Sequence, residues 1–126
     1  MPGNRLEIGD VIRVLLPRHV PAGHEQEGQR PAVVIGTTDG LGSTRFPMLM
    51  IAPMTTQVET WTRGNPLLYP IIPAGVAGLS QESAILLDQL RALSLSRLLG
   101  FMGTLESAQI EKIKSATEKI FEVNGG

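Results

Sequence analysis

Ionisable and amide side chains crowd one short stretch of the chain. Residues 23–30 read Gly-His-Glu-Gln-Glu-Gly-Gln-Arg and lead directly into the apolar run 32–35. Pro31 biases the backbone of Arg30 towards extended geometry, so a charged group stands at the mouth of a predicted buried strand. Glu25 lies five residues upstream of Arg30. The residues alone leave two interpretations open: Glu25 and Arg30 form a salt bridge that closes the loop, which is the commoner arrangement, or they act as a catalytic pair.

Two further clusters combine hydroxyl, amide and charged groups at the ends of predicted strands. Thr55, Thr56 and Gln57 could donate hydrogen bonds to phosphate oxygens, although turn and capping chemistry explains such residues more often. Asp88 and Arg91 flank a break between two apolar runs and could bond to the backbone and to each other. For both clusters the residues alone favour a structural role, and a ligand-binding role stays open.

The amino-acid composition argues against several other chemistries. The chain has no cysteine, so thiol catalysis, disulfide bonds and Cys-ligated zinc are excluded. Its two histidines, His19 and His24, are too few for a multi-histidine metal site within one chain. No glycine-rich loop ends in the lysine that a phosphate-binding loop needs. One tryptophan, one tyrosine and three phenylalanines are too sparse for the stacking platform of the usual single-strand binders.

The length, hydropathy and net charge bound the class of protein. A chain of 126 residues, of which 42% are hydrophobic, makes one domain, residues 1–126, with a single core. The longest apolar run, residues 47–54, is far shorter than the roughly 20 residues of a membrane span. The first residues lack the apolar segment of a signal peptide, so we expect a cytoplasmic protein with no membrane contact. The net charge of −1 argues against a strong non-specific nucleic-acid binder.

The elements that must position these residues are short apolar runs separated by glycine and proline. Six or seven strands are predicted, at residues 11–16, 32–35, 48–52, 67–72, 84–87, 92–95 and 100–105. Pro53 ends the third strand, and Pro70 marks the fourth as an edge strand. The last segment, residues 107–122, changes to the spacing of an amphipathic helix. The expected fold class is therefore mainly β (α+β), a small antiparallel barrel over about residues 9–105 followed by a C-terminal helix.

The order of these motifs resembles that of the MazF/PemK toxins of toxin–antitoxin systems. Any one motif would be a weak signal, but four in register in a chain of this length are a strong one. The resemblance covers roughly residues 9–122. The four motifs are Gly-x-Glu-Gln-x-Gly-x-Arg-Pro at 23–31, which is preceded by Gly-Asp-Val at 9–11, then Pro-Met-Thr-Thr-Gln at 53–57, Leu-Leu-Asp-Gln-Leu-Arg-Ala-Leu at 86–93 and Gly-Thr-Leu at 103–105.

The resemblance implies an SH3-like barrel that forms a homodimer, cleaves single-stranded RNA without metal or other cofactor, and is held inactive by a cognate antitoxin. It implies that Arg30 and Thr55 are catalytic and that the loop glutamate, here Glu25, takes part. Some members use an Arg-x-Asp pair instead; Asp88 matches that aspartate, but Leu86 stands in place of the arginine, which favours Arg30 with Glu25. The residues that we expect to contact RNA are His24, Gln26, Gln29, Thr56, Gln57, Arg13, Asp88 and Arg91.

These residue types suit the reaction that the resemblance implies. Metal-independent cleavage of RNA needs a base for the 2′-hydroxyl proton, a cation beside the pentacoordinate phosphorus and an acid for the leaving 5′-oxygen. Glu25 can be the base, and the planar fork of Arg30 can hold the non-bridging oxygens. Thr55 can donate one more hydrogen bond. The expected products are a 2′,3′-cyclic phosphate and a 5′-hydroxyl.

Two other functions stay open at this stage. The chain could be a non-enzymatic barrel of the CcdB type, which poisons gyrase by binding it, although such proteins carry a tryptophan at the active C-terminus and this chain ends Phe-Glu-Val-Asn-Gly-Gly. It could also be an inactive homologue that only binds an antitoxin or RNA. The presence of Glu25, Arg30 and Thr55 argues against the second alternative.

Overall fold

The computed structural model describes residues 5–18, 23, 28–42 and 45–122. Its strands are β1 Asp10–Leu16, β2 Gly28–Thr37, β3 Met48–Thr55, β4 Ile71–Ile72, β5 Ser83–Ile85, β6 Arg91–Ser94 and β7 Leu98–Thr104. The α-helices are α1 Thr60–Arg63 and α2 Ser107–Ile120, and single 3-10 turns lie at Asp39–Leu41, Leu87–Gln89 and Leu95–Arg97.

All strand pairs are antiparallel, and the strands form one sheet in the order β4-β5-β3-β2-β1-β7. Strand β3 pairs with β2 along one edge and with two strands in succession along the other. Its first half pairs with β6 as far as Ile51, and its last two residues, Met54 and Thr55, pair with β5. The 3-10 turn Leu87–Gln89 therefore connects two strands that bind the same edge of β3.

The strand boundaries differ from the sequence expectation by a few residues at several points, and two of the differences involve a proline. Arg30 was expected in the loop before β2, but it lies inside that strand, paired with Val14 of β1. Pro53 was expected to end β3, but the strand continues to Thr55. The carbonyl of Pro53 accepts the N–H of Leu86 at 2.9 Å. The N–H and C=O of a residue in an antiparallel strand point to the same side. An N–H on residue 53 would therefore face the gap between β5 and β6, so its absence in proline removes no ladder hydrogen bond.

Two further differences concern the connection after β3. Only Ile71–Ile72 of the expected strand at residues 67–72 is extended and paired. The connection also contains α1, a single helical turn that the sequence pattern did not indicate. A four-residue helix is too short to show a hydrophobic period, which is why no signal for it exists in the sequence.

The sheet buries side chains on both of its faces, so successive residues along the central strands enter two different clusters. The helix-side cluster packs under α2, and the inner cluster is closed by β6. Buried members of the helix-side cluster are Val11, Val33, Ile35, Ala52, Met54, Ile72, Leu79, Ile85, Leu87, Leu105 and Ile113. Buried members of the inner cluster are Ile12, Val14, Leu16, Ala32, Val34, Leu49, Ile51 and Leu93.

Helix α2 closes the helix-side cluster and is anchored at its first turn. Gln109 Oε1 accepts the N–H of the N-cap residue Glu106 at 2.9 Å, which is half of a capping box. Ile110 approaches the start of β1 so closely that a Cβ on Gly9 would lie 2.5 Å from Ile110 Cγ1. Gly9 also has a φ of +95°, so both its conformation and its neighbour require glycine. Within the part of the chain described here, no helix is long and apolar enough to cross a membrane.

Candidate active site

Arg30 and Thr55 lie on neighbouring strands and face the same side of the sheet. The β2–β3 ladder pairs Ala32 with Pro53, and Arg30 and Thr55 each lie two residues further along their antiparallel strands. The ladder ends at that pair, and residues two apart on a strand point to the same face, so Arg30 and Thr55 both project from the face that carries Ala32 and Pro53. The two side chains thus stand beyond the same end of the β2–β3 ladder, where a guanidinium and a hydroxyl can act on one phosphate group.

Thr55 is held in place by strands on both sides. Ala84 of β5 pairs with Thr55 on the edge away from β2, and the Thr55 side chain is buried. The N–H of Gln57 donates to Thr55 Oγ1 at 3.1 Å. This is the turn chemistry expected for the Thr-Thr-Gln cluster. Because a hydroxyl can accept and donate at the same time, that turn bond leaves the Thr55 O–H able to donate to an anion.

Arg30 emerges from the rim of the inner cluster. Val14, its partner on β1, is fully buried in that cluster, whereas Arg30 is half-buried. The aliphatic part of the arginine side chain can therefore pack against apolar neighbours while its guanidinium reaches towards solvent. A cation that is partly withdrawn from water interacts more strongly with a phosphate than a fully exposed one does.

Arg13 and Gln29 do not lie on this face. Arg13 pairs with Pro31, and Gln29 pairs with Leu15, so each is one residue out of step with the Val14–Arg30 pair. Since neighbouring residues on a strand point to opposite faces, both side chains project on the side of the sheet away from Arg30. Of the residues expected to contact RNA, these two are separated from Arg30 and Thr55 by the sheet itself.

The other described candidates lie around the ends of β3. Thr56 and Gln57 are exposed directly after Thr55. Arg91 opens β6 opposite Ile51, so it shares the face of Thr55 at a distance of four residues along β3, about 13 Å. Asp88 is exposed in the 3-10 turn that links β5 and β6. Thr56 and Gln57 thus follow Thr55 directly, whereas Arg91 and Asp88 lie further away along the edge of β3 that β5 and β6 occupy.

His24, Glu25 and Gln26 lie outside the described residues. The connection that contains them leaves the sheet after Leu16 and returns at Gly28, and these two residues pair with each other. The connection thus begins and ends two residue positions from Arg30, on the strand end next to the candidate site. The expectation that Glu25 is catalytic remains a prediction.

The structure gives Asp88 a partner that the sequence did not indicate. Tyr69 donates its phenolic O–H to Asp88 Oδ2 at 2.6 Å. This hydrogen bond, together with burial and the negative charge of Asp88, raises the pKa of Tyr69 above its usual value of 10.0. The Tyr69 ring in turn contacts Trp61 edge to face, with centroids 5.1 Å apart and planes at 87°. Sequence reasoning dismissed both aromatics as sparse, because nothing in a one-dimensional pattern shows that residues 61, 69 and 88 meet.

The described residues contain no group of three or more histidine, aspartate or glutamate side chains close enough to hold a metal ion. The functional groups that the structure brings together are a guanidinium, hydroxyls, amides and a carboxylate. Such groups bind anions and donate or accept protons.

Solved structures of MazF toxins share this fold. MazF from Deinococcus radiodurans matches with a TM-score of 0.69 and 21% identity, over 93% of this chain and 97% of that chain. MazF in a MazE–MazF complex from the same organism matches with a TM-score of 0.65 and 21% identity, over 94% of this chain and 96% of that chain. The expected fold class, an antiparallel barrel-like sheet with a C-terminal helix, is confirmed.

The sequence itself places the chain within one family. The family described as PemK-like, MazF-like toxin of type II toxin–antitoxin systems matches residues 7–121, and the chain belongs to that family. Endoribonuclease EndoA of Bacillus subtilis is 28% identical over 96 residues, which are 76% of this chain and 78% of that protein. The family resemblance read from the sequence motifs is confirmed.

Proposed function

We propose that this chain is an endoribonuclease toxin that cleaves single-stranded RNA at short sequences without a metal ion. The observation that carries the proposal is that Arg30 and Thr55 project from the same face of the sheet, each two residues beyond the last pair of the β2–β3 ladder, Ala32 and Pro53. Membership of the toxin family supports it, and so does the likeness to a protein named as an endoribonuclease. RNA is the substrate class that an arginine, hydroxyls and amides suit, because these groups bind phosphate and base edges.

The proposed reaction is an internal transesterification. Glu25 takes the proton of the 2′-hydroxyl, and the 2′-oxygen attacks the adjacent phosphorus. The bond between phosphorus and the 5′-oxygen breaks, and that oxygen takes a proton from water or from His24. The products are a 2′,3′-cyclic phosphate and a 5′-hydroxyl.

The residues of the sheet act on the charge that develops during this reaction. The guanidinium of Arg30 binds the non-bridging oxygens, and Thr55 donates a hydrogen bond to them. Arginine remains protonated far above neutral pH, so Arg30 stabilises charge and does not transfer the proton. Thr56, Gln57 and Arg91 flank this pair and contact the RNA on either side of the cut.

A cleavage assay tests the proposal directly. Purified protein is mixed with a long single-stranded RNA in the presence of EDTA, and discrete fragments with cyclic-phosphate ends are expected. A substrate with one 2′-deoxy nucleotide immediately 5′ to the cut should resist cleavage at that bond. Continued cleavage at that bond would show that the reaction is direct hydrolysis and not internal transesterification. Intact RNA together with inhibited supercoiling would favour a CcdB-type gyrase poison, and intact RNA with antitoxin binding alone would indicate an inactive homologue.

We also propose that the protein acts in the cytoplasm as a homodimer that a cognate antitoxin inhibits by covering the RNA site. A related MazF is found in a complex with MazE. An acidic, partly disordered segment that folds on binding would place carboxylates against Arg30 and Arg91, as RNA phosphates would. Co-expression with such a partner should restore growth and weaken RNA binding in competition. A partner that leaves RNA access unchanged would contradict inhibition by occlusion.

A further inference from the structure

We propose that Trp61 is a stacking site for a nucleobase of the RNA substrate, held in place by Tyr69 and Asp88 beside the cleavage site. This inference rests on the proposed function. It concerns the connection between β3 and β4. None of the residues expected to contact RNA lies in that connection after Gln57. Trp61 is 50% exposed, although indole is one of the largest apolar groups a protein carries.

The backbone that carries Trp61 is fixed by local hydrogen bonds. Trp61 lies in α1, whose first turn is closed by Glu59 and Thr62. The N–H of Glu59 donates to Thr62 Oγ1 at 2.8 Å, and that hydroxyl donates to the carbonyl of Glu59 at 2.7 Å. Thr62 is fully buried. A residue between these two positions has little backbone freedom, so the indole is presented from a rigid turn.

The indole ring itself is oriented by two contacts. Its Nε1–H donates to Glu59 Oε2 at 3.2 Å, and the ring meets Tyr69 at 5.1 Å in an edge-to-face arrangement. Tyr69 is fixed in turn by its bond to Asp88. An edge-to-face contact covers at most one face of the indole. Since Trp61 is 50% exposed, this pre-oriented ring leaves surface on which a base can stack.

Two separate ties connect α1 and Tyr69 to the chain segments that contact the end of β3. Arg63 of α1 forms an ion pair with Glu82, and Glu82 is two residues from Ala84, the β5 partner of Thr55. On the other side, Asp88 is two residues from Leu86, whose N–H bonds to Pro53 of β3. Trp61 is six residues from Thr55 in the chain, so the two Cα atoms are at most about 20 Å apart. A single-stranded RNA that rises about 3.4 Å per stacked nucleotide covers that distance in about six nucleotides.

The charges around Trp61 favour a base over the other occupants of this surface. The carboxylate of Glu59 bonds the indole, that of Asp88 bonds Tyr69, and that of Glu82 is paired with Arg63 of the same helix. This charge disfavours a phosphate or an acidic peptide segment in direct contact. An uncharged base can stack on the indole while its phosphates lie nearer to Arg30 and Thr55.

Fluorescence tests the inference without ambiguity, because Trp61 is the single tryptophan of the chain. The probe is an RNA oligonucleotide that spans a mapped cleavage site and is blocked by a 2′-deoxy nucleotide at the cut. We expect its binding to quench Trp61 emission and to protect Trp61 from acrylamide. Unchanged emission and unchanged acrylamide access at saturating RNA would overturn the inference, and protection by the antitoxin alone would reassign the surface to that protein.

Kinetics on the unblocked oligonucleotide supply a second test. Trp61→Ala should raise KM about tenfold or more with little change in kcat, since a stacked aromatic contributes about that factor or more per base. Trp61→Phe should recover most of the loss. The matched control is Leu67→Ala, which removes another exposed apolar side chain from the same connection and should leave KM unchanged. An equal effect of Leu67→Ala would indicate a general loss of apolar surface, and a wild-type protein that cleaves no RNA would remove the proposed function instead.

Discussion

Replacement of Arg30 separates the catalytic interpretation of this residue from the structural one. Arg30→Ala removes the guanidinium, but the backbone of residue 30 remains in β2 opposite Val14. The position is half-buried at the rim of the inner cluster, so the loss of side-chain packing should lower the free energy of unfolding by about 1 kcal/mol or less. The fold should therefore survive the substitution.

The expected effect on catalysis is much larger than the effect on stability. A unit charge about 4 Å from a guanidinium in a partly buried site, with an effective dielectric constant of about 20, interacts by about 4 kcal/mol. Loss of one preorganised donor to a developing oxyanion costs about 3–4 kcal/mol in other enzymes. We therefore expect kcat of Arg30→Ala to fall by roughly 10²- to 10³-fold. Arg30→Lys should recover only part of the loss, because an ammonium cannot span two phosphate oxygens as the planar fork does.

The assay measures kcat on an RNA with a mapped cleavage site and unfolding in urea on the same preparations. Arg45→Ala is the charge-matched control, since Arg45 is exposed and lies before the start of β3, whereas Thr55 is the last residue of that strand. It removes the same charge and should retain kcat. If Arg30→Ala instead unfolds the protein, or destabilises it by several kcal/mol while kcat per folded molecule is unchanged, the salt-bridge interpretation of Arg30 is correct and the catalytic one is refuted.

Three further predictions concern residues placed by the tertiary structure. Thr55→Val should lower kcat by about 10²-fold and Thr55→Ser should retain most of it, because serine keeps the O–H; equal kcat values for the two variants in the same assay would rule out a donor role. Tyr69, the single tyrosine of the chain, should ionise above pH 10.0 because its bond to Asp88 raises its pKa, and Asp88→Asn should lower that pKa in an absorbance titration at alkaline pH. The pKa of Tyr69 is higher in the folded than in the unfolded protein, so its contribution to stability is present below pH 10.0 and is lost as the pH rises through the folded-state pKa. The stability difference between wild type and Tyr69→Phe should therefore shrink in that range. A difference that grows there would contradict the assigned hydrogen bond. Gly9→Ala should destabilise the protein by about 1–3 kcal/mol in urea unfolding, because residue 9 has a positive φ and a Cβ there would contact Ile110. Adding Ile110→Ala to the same chain should relieve the contact but not the backbone strain. If the effects of the two substitutions on stability simply add, the contact is not the cause.

The amino-acid sequence alone predicted the class of fold and the family. Period-two apolar runs between glycine and proline predicted most of the strands, and the change to helical spacing predicted α2. These features are local, since each strand or helix of several residues shows its own periodicity. The motifs that indicated the toxin family are also local, and they placed Arg30 and Thr55 at the ends of apolar runs.

Only the tertiary structure decided which of these residues can act together. The β2–β3 ladder places Arg30 and Thr55 on one face beyond its last pair, and the β1–β2 ladder, which pairs Arg13 with Pro31, turns Arg13 to the other face. A shift of one residue in either ladder would move the side chains of one strand to the opposite face relative to its partner, and which strands pair is decided only in the folded sheet. The contact between Trp61 and Tyr69, and the bond from Tyr69 to Asp88, join residues 8 and 19 positions apart. No periodic pattern in the sequence links these positions. The contacts depend on the change of partner along β3 from β6 to β5, which is a property of the folded sheet.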